Sequence, residues 1–523
     1  MSLGLGLTKI LPVLIYLGGI TVIFLTIFYR IEIGIFLLVP LLPQQLLLDR
    51  MLVFPMGKDF MDLLLIAIII KWLLNKNKKD LAFFLKTSFN WPILLLIIWT
   101  YLELWRGSFY LGISLPISIR DPRFVIWKNF IVMPIIYLMV LNNIKETKYI
   151  KILIILMTLS ILAMGLHFRS NFAGTDTSHF RNDMRLVGTF TYLSPNAVGV
   201  FFAQYAMMLL GLSLFDNHKY RKILYLVTVG FSLYAVVFIF SRGAYSAVLI
   251  TWLFIGLIKE RKLLVLLVFF ILTWKSILPN AVIERVEMTK GDTSVQERFS
   301  LWKSAKKLIE SNPVIGTGYA TLSFLHIRDE ITGKTRKSLH SGYLEVASEL
   351  GIIGLALFVY LYILGFQAGF GLYKKAEDPF IRGLGFGLMA CVVAALAGNL
   401  AGSYWHYINV SGFYWVTLAL VVRSLQSLKE QPETVQESKN ELQVSYELPL
   451  DRYYLDQLYN DFLEVNNLNE AKLIIISPDK ESRKELIDVL TNACYSEKPV
   501  KNDPFDSIEF GKIVTWKSKN INI

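Results

Sequence analysis

Residues 226–258 read LVTVGFSLYAVVFIF, then SRGA, then YSAVLITWLFIGLI. The two apolar runs approach the roughly 20 residues that a helix needs to cross the hydrocarbon core of a bilayer. Only residues 241–244 separate the runs, so the pattern predicts a tight helical hairpin within a membrane. Arg242 then lies at the turn of this hairpin, at the membrane edge.

The composition of the whole chain indicates the same class of protein. Of its 523 residues, 54% are hydrophobic and 18% are charged, whereas about a quarter of the residues of a soluble domain are charged. We therefore expect an all-α polytopic membrane protein with about 12–13 transmembrane helices. The candidate spans lie near residues 10–29, 32–48, 60–75, 91–105, 124–141, 149–166, 192–215, 222–240, 243–258, 262–279, 343–371, 382–402 and 409–425, and the second to fourth are short.

The net charge of +12 is compatible with a nucleic-acid ligand, but its distribution argues against one. The basic residues cluster in short connections near residues 71–86, 145–151, 219–222, 259–262 and 374–382. All five fall on one side when the spans are counted, and the positive-inside rule makes that side cytoplasmic. The opposite connections, which are then extracytoplasmic, lie near residues 106–123, 167–191, 241–243, 280–342 and 403–408.

The composition changes sharply near residue 430. We expect a transmembrane domain at 1–428, with a large extracytoplasmic loop at about 280–342, and a cytoplasmic tail or small domain at 429–523. Within the tail, QPETVQESKNELQ resembles a solvated linker, and residues 473–476 form a β-like run between two helical patterns. This mixture predicts a small α/β appendage, with a packing role favoured over a regulatory one.

The large loop contains a predicted amphipathic helix that begins near Val295 and ends at Asn312-Pro313. Such a helix can lie on the bilayer surface, with Trp302 at the level of the headgroups. Arg298 falls at the border between its two faces. The apolar face comprises Val295, Phe299, Trp302, Ala305, Leu308 and Ile309, and the polar face Glu297, Ser300, Lys303, Lys306, Lys307 and Glu310.

Three arginines near membrane edges are candidate anion ligands, because charges at such positions are costly without a purpose. Arg242 and Arg298 can instead be snorkelling or solvated side chains. Arg185 precedes Ser194-Pro195-Asn196, which either caps a helix or breaks one and lines a cavity. The glycines of residues 316–319 (GTGY) favour a simple turn over an anion-binding loop.

Residues 339–354 read LHSGYLEVASELGIIG, so that His340 closes the polar loop where a helix begins. On its own it is as consistent with a surface residue as with a functional one. Glu345 suits the first turn of the following helix. Gly351 allows close helix packing, and Glu349 has either a structural role or the role of orienting an arginine.

These segments together resemble a known family. SRGA at 241–244, ERFSLWKSA at 297–305 leading to NPVIGTGY at 312–319, and HSGYLEVASELGIIG at 340–354 are similar to motifs of the O-antigen ligase and polymerase group of membrane glycosyltransferases. The resemblance covers roughly residues 185–365 in the same order. Ser341 stands where asparagine is common in that family.

The resemblance implies an inverting, metal-independent glycosyltransferase of the GT-C kind that needs no cofactor. Its donor is a glycan on a polyprenyl pyrophosphate, normally undecaprenyl pyrophosphate, and it acts among membrane lipids on the extracytoplasmic face of the bacterial inner membrane. Arg242 and Arg298 take the positions that hold the donor pyrophosphate, with Arg185 as a further candidate. His340 takes that of the base for the acceptor hydroxyl.

The chemistry of these residue types agrees with that implication. Guanidinium groups stabilise the charge of a departing pyrophosphate by bidentate hydrogen bonds, without a metal. A neutral imidazole accepts the proton of a sugar hydroxyl. The acceptor, which can be a lipid A core, a second lipid-linked repeat or a protein hydroxyl, is not encoded in these motifs.

A transporter of a small anion such as bicarbonate is the alternative function, since many-span proteins with intramembrane charges often transport ions. Such a protein is expected to contain helices broken at the membrane midplane, or two similar halves. The sequence shows neither pattern clearly. The long outer loop and its amphipathic helix favour an enzyme at the membrane surface.

Overall fold

The computed structural model describes residues 7–75, 84–186, 193–288, 293–325, 327–328, 335–336, 338–430, 441–445, 470–476 and 512–517. The chain divides into two compact units, Met1–Leu428 and Lys429–Ile523. The described helices of the first unit are α1 (Leu7–Phe28), α2 (Ile31–Leu41), α3 (Gln45–Asp49), α4 (Phe60–Leu74), α5 (Asn90–Leu111), α6 (Pro122–Asn143), α7 (Thr147–Phe172), α8 (Pro195–Ser213), α9 (Lys219–Phe238), α10 (Arg242–Ile258), α11 (Lys262–Ile277), α12 (Asn280–Glu287), α13 (Thr293–Ser311), α14 (Gly342–Lys375), α15 (Pro379–Leu400) and α16 (Ile408–Glu430).

Each predicted span coincides with one of these helices, except the span at 32–48, which contains both α2 and α3. The pattern confirms an all-α polytopic membrane protein. Within the described residues, seven helices are long and apolar enough to cross a membrane, or eight if α11 and α12 form one span bent by 112°. The expected 12–13 spans also counted other helices, most of which are shorter. The 11 residues of α2, for example, extend only about 16 Å, roughly half the hydrocarbon thickness.

The interior of the membrane unit is built around α8, which packs against α9, α10 and α15. Both α8 and α15 are apolar on all sides and almost wholly buried, as expected of helices that have protein neighbours all round. The contact between them is close because Gly387 of α15 lies against the backbone of Met208.

Helix α14 is broken at Gly351, where φ is 64° and ψ is −166°. Residues 313–318 lie beside the break and bond to the backbone groups that it frees, while the indole N–H of Trp99 in α5 donates to the Leu350 carbonyl at 3.2 Å. The backbone bonds run from Thr317 N to Ser348 O (2.8 Å), from Gly318 N to Glu349 O (2.8 Å) and from Ile352 N to Pro313 O (3.0 Å). The break is therefore buried in protein, as a membrane requires.

The position of this break matters for function. Residues 352–375 alone extend about 36 Å at 1.5 Å per residue, enough to cross a bilayer. The segment 342–350 consequently adds to a complete span at one end, rather than interrupting a span at its middle.

Short strands occur in both units. In the first unit, β1 (Ile327–Arg328) pairs with β2 (Thr335–Arg336) in an antiparallel hairpin. In the second unit, β4 (Glu470–Ile476) pairs with β3 (Glu441–Ser445) in parallel and with β5 (Lys512–Lys517) in antiparallel orientation. The predicted β-like run at 473–476 lies within β4. The predicted linker at 431–443 is wrong at its end, because residues 441–443 lie in β3. Its remaining residues, 431–440, and the helical patterns on either side of β4 lie outside the described residues.

Candidate functional site

The first turns of α8, α10 and α14 meet at one end of the bundle. A Cβ atom on Gly199 of α8 would lie 2.9 Å from the Cβ of Ala244 in α10, and one on Gly243 would lie 2.5 Å from that of Ala401. The N–H of Gly342 in α14 donates to Gly402 O at 2.9 Å. The turn at 401–407 therefore lies between the starts of α10 and α14.

Local sequence explains why two of these helices begin here. Ser194 caps α8 by accepting from Ala197 N at 3.4 Å, and Pro195 occupies the first helical position. Ser241 caps α10 by accepting from Ala244 N at 3.4 Å. The N-terminus of each helix carries a partial positive charge and unbonded amides, which favour an anion nearby.

Arg185 lies beside these helix starts. Its Nη2 donates to Asn196 Oδ1 of α8 at 2.7 Å, so the segment Ser194-Pro195-Asn196 both caps a helix and contacts an arginine. The Nε of Arg185 is buried and makes no hydrogen bond to the described residues. Burial and the positive charges of Arg285, Arg298 and Arg242 lower the pKa of Arg185 to about 10. The structure thus places all three predicted arginines in one cluster.

Arg285 is a fourth member of the cluster and was not among the residues predicted from the sequence. It lies on α12, is only 7% exposed, and its guanidinium carbon lies 5.0 Å from the ring centroid of Phe180. Its Nε donates to Phe240 O at 3.4 Å, immediately before the SRGA segment. The signal was present in the sequence, since NAVIERVE places Arg285 on the same helical face as Ala281 and Val282.

Helix α12 is held in place by the segment before Arg185. Ala281 N donates to Thr177 O at 3.1 Å. The carboxylate of Glu284 accepts from Phe180 N at 2.8 Å and contacts His179 Nδ1, also at 2.8 Å. The 112° bend between α11 and α12 therefore directs Arg285 into the cluster rather than into the membrane.

Arg242, at the first position of α10, bonds to the end of α12 through Nη1 and Met288 O at 2.7 Å. Phe240, two residues earlier, has φ 54°. A non-glycine residue in this left-handed region carries strain that its surroundings must impose, and such strain concentrates at functional sites.

Helix α13 confirms the predicted amphipathic helix, but the predicted faces are partly wrong. Phe299 is 63% exposed, whereas Glu297 and Ser300 are buried. The indole N–H of Trp302 donates to Leu339 O at 3.2 Å, and the expectation that Trp302 lies at the headgroup level stays a prediction. The protein-facing side packs in a small cluster of Leu301, Ala305, Leu322 and Leu339. The helix covers the turn before α14, and the charge of Arg298 acts on Arg185.

His340 lies in this turn with φ 53°, a second strained position. Its N–H donates to Ser338 Oγ at 3.3 Å. Glu345, predicted only as a favourable first-turn residue, is buried and accepts from Ser338 Oγ at 3.0 Å and from Leu339 N at 3.4 Å. The acidic residue thus bonds to the loop that carries His340.

Tyr404 connects the histidine side of the site with the arginine side. It is 5% exposed, and its hydroxyl lies against Gly402, whose carbonyl bonds to α14. Burial raises the pKa of Tyr404, and the positive charges of Arg298 and Arg185 partly oppose that rise, while Glu345 adds to it. One phenol therefore lies within electrostatic reach of both the arginines and the carboxylate behind His340.

Hydrogen bonds to backbone amides bear on the predictions for residues 316–319 and for Glu349. The amides of Thr317 and Gly318 are bonded to α14, which agrees with a structural turn rather than an anion loop at 316–319. Glu349 accepts from Leu322 N at 2.9 Å and so holds the segment that follows this turn, which agrees with a structural role for Glu349. Within the described residues, no group of three or more His, Cys, Asp and Glu side chains is arranged to hold a metal ion.

The fold and the site together define the class of this protein, which is that of polytopic membrane proteins. Four arginines, with a histidine next to them, lie at one end of its helix bundle. Comparison with known proteins narrows this class.

A family model described as O-antigen ligase matches residues 227–359, which include Arg242, Arg285, Arg298 and His340. A protein of Rickettsia typhi (strain ATCC VR-144 / Wilmington) named "Putative polysaccharide ligase" is 30% identical over 171 residues. That match covers 28% of this chain and 40% of the relative, less than half of the relative's length. Both matches support the resemblance to O-antigen ligases that the sequence motifs predicted.

Proposed function

We propose that this protein is an inverting, metal-independent glycosyltransferase that moves a glycan from a polyprenyl-pyrophosphate donor to an acceptor hydroxyl in surface polysaccharide assembly. The observation that carries the proposal is the convergence of four arginines on the capped starts of α8 and α10, beside the turn that holds His340. The family match supports a ligase or polymerase role.

The arginines are assigned to the donor pyrophosphate. As the glycosidic bond breaks, negative charge accumulates on the leaving pyrophosphate, and guanidinium groups already in position stabilise it without reorganisation. The buried Nε–H of Arg185, which has no acceptor in the described part of the protein, is suited to a phosphate oxygen. Arg285 joins Arg185, Arg242 and Arg298 in this role.

His340 is assigned to the acceptor. A neutral imidazole takes the proton of the attacking hydroxyl as the new glycosidic bond forms on the face opposite the leaving group, which inverts the anomeric centre. The strained turn at His340 is consistent with a side chain that is held for a reaction rather than for packing.

The positive-inside rule supports an extracytoplasmic active site in the bacterial inner membrane, with residues 429–523 on the cytoplasmic side. The donor is then undecaprenyl pyrophosphate carrying a glycan, and the acceptor is a glycan or a lipid-linked glycan. Nothing in this topology depends on a nucleic acid.

The break in α14 is the one feature that favours the transporter alternative, because broken helices are expected there. Its location argues against that function, since residues 352–375 already complete a span. The freed carbonyls of Ser348, Glu349 and Leu350 are bonded to Thr317, Gly318 and Trp99. An ion would have to displace these bonds.

The test is transfer by purified protein in liposomes, with glycan-loaded undecaprenyl pyrophosphate as donor and with a lipid A core, a second lipid-linked repeat and a protein offered separately as acceptors. Arg242→Ala and Arg298→Ala should each lower the rate by about 10²–10³-fold, and His340→Ala by about 10²–10⁴-fold. Arg120→Ala is the matched control, because Arg120 is an exposed arginine outside the cluster. Bicarbonate uptake without transfer to any of the acceptors would overturn the proposal.

A further inference from the structure

The conformation of His340 needs an external restraint. Its φ of 53° lies in the left-handed region, where a side chain with a Cβ is disfavoured. Ser341, the next residue, precedes the first helical residue of α14 but makes no capping bond with its side chain. Helix capping by Ser341 is therefore not what holds the turn.

Ser338 and Glu345 supply such a restraint. Ser338 Oγ accepts the N–H of His340 at 3.3 Å and donates to Glu345 Oε2 at 3.0 Å. The same carboxylate oxygen accepts from Leu339 N at 3.4 Å. Glu345 is thereby bonded to both residues that precede His340.

The geometry of α14 explains how Glu345 reaches the turn. Side chains in a helix are tilted towards its N-terminus, so a residue at the end of the first turn can extend back over the start. Glu345 is only 8% exposed, and burying a carboxylate is unfavourable unless it is hydrogen-bonded. An uncharged residue would pack at this position at lower cost, which indicates that the bonds made by Glu345 matter.

We propose that Glu345, acting through Ser338, is the positioning residue that sets the orientation of His340, an inference that rests on the proposed function. Other contacts fix the flanks of the turn: Trp302 bonds to Leu339 O, and Gly342 N bonds to Gly402 O. Ser338 instead receives the N–H of His340 itself. Misplacing a reacting group by about 1 Å can lower a rate by about 10²-fold.

The first test separates catalysis from binding. Glu345→Ala should lower kcat by about 10- to 100-fold with the KM for the lipid-linked donor within about twofold of wild type. Glu345→Gln, which keeps an amide oxygen as acceptor, should restore kcat to within about threefold of wild type. Wild-type kcat in Glu345→Ala, or a loss in Glu345→Gln equal to that in Glu345→Ala, would overturn the proposal.

Ser338→Ala provides a second route, which also covers a Glu345→Ala protein that fails to fold. It should lower kcat by about tenfold, whereas Ser311→Ala, at the exposed end of α13, should not. The double variant Ser338→Ala/Glu345→Ala should be no slower than Glu345→Ala alone, since residues of one relay are not additive. Independent, multiplied effects would refute a relay.

A third measurement needs no transferase activity. Acylation of imidazoles by diethyl pyrocarbonate, read by mass spectrometry, should change in rate at His340 in Glu345→Ala and not in Glu345→Gln, with the exposed His218 as internal reference. An unchanged rate at His340 overturns the positioning role. A wild-type protein that transfers no glycan contradicts the proposed function instead, so the two failures are distinguishable.

Discussion

Replacing Gly351 with alanine should destabilise the membrane unit far more than an ordinary glycine-to-alanine change. The φ of 64° and ψ of −166° at Gly351 lie in a region reserved almost entirely for glycine, which costs other residues about 1–3 kcal/mol. A Cβ there would also lie 2.1 Å from the carbonyl oxygen of Val314. That atom belongs to the backbone and cannot rotate away, so the two backbone segments would have to move apart. This movement costs about 1–3 kcal/mol more. We expect Gly351→Ala to lower the free energy of unfolding by about 3 kcal/mol or more.

Two other glycines separate the contributions. Gly112 has φ 64° but open space around it, so Gly112→Ala should show only the conformational cost, about 1 kcal/mol. Gly230 lies within α9 with nothing near its missing Cβ and without a positive φ. Gly230→Ala should be neutral or stabilise the protein by about 0.5–1 kcal/mol.

The measurement is unfolding of the three variants and the wild type in one detergent, followed by a thermal or denaturant midpoint. The expected order of stability is Gly230→Ala, wild type, Gly112→Ala and Gly351→Ala. If Gly351→Ala were as mild as Gly112→Ala, the contact with residues 313–318 would not constrain α14, and the assignment of the 316–319 turn as a structural support would be wrong.

Three more outcomes follow from the site. Arg285→Ala should lower the rate of transfer by about 10- to 100-fold. Arg285→Lys should recover only part of that rate, because lysine lacks the planar, forked guanidinium group of arginine. Equal rates for wild type and Arg285→Ala would show that Arg285 is not part of the proposed donor site. Burial lowers the pKa of His406 to about 4, below its value of about 6.5 in the unfolded chain. Between these two pH values the unfolded chain binds a proton at His406 and the folded protein does not. The free energy of unfolding therefore decreases as the pH falls from about 6.5 towards 4. At pH 5 this amounts to about 2 kcal/mol, and the melting temperature of His406→Gln should fall less between pH 7 and pH 5 than that of wild type. Undecaprenyl pyrophosphate at 100 times its dissociation constant should stabilise the protein by about 2.7 kcal/mol, seen as a rise in melting temperature that Arg185→Gln reduces and that bicarbonate at the same concentration does not reproduce.

The spans were predictable from sequence because an apolar run in a membrane has few alternatives to a helix. The candidate residues were predictable for a related reason: Arg242 and Arg185 interrupt or precede apolar runs, where a charge stands out. What those residues contact was not predictable, since the turn at 401–407 and helix α12 approach them from distant parts of the sequence.

Residues with two plausible roles were harder to interpret. Glu345 fits a first-turn carboxylate, and only the fold shows that it bonds to Ser338 and Leu339. Helix α13 has polar and apolar residues on both sides, so its periodicity does not define the buried face clearly. In the structure, the buried face is the one that packs against Leu339. The break at Gly351 depends on a partner segment more than 30 residues away, which no local pattern in α14 encodes.

The electrostatics of the arginine cluster favour a polyanion over a singly charged ion. The depressed pKa of Arg185 shows that its surroundings disfavour its own positive charge, because burial and three other guanidinium groups act on it together. An anion that offers several oxygens can bond to more than one of these groups at once and relieve their mutual repulsion. Bicarbonate carries a single charge and is smaller than a pyrophosphate. A pyrophosphate has the charge and the extent to reach several, and the positive starts of α8 and α10 add to its attraction. The proposed donor, which carries two linked phosphates, therefore fits this cluster of arginines better than the alternative ligand does.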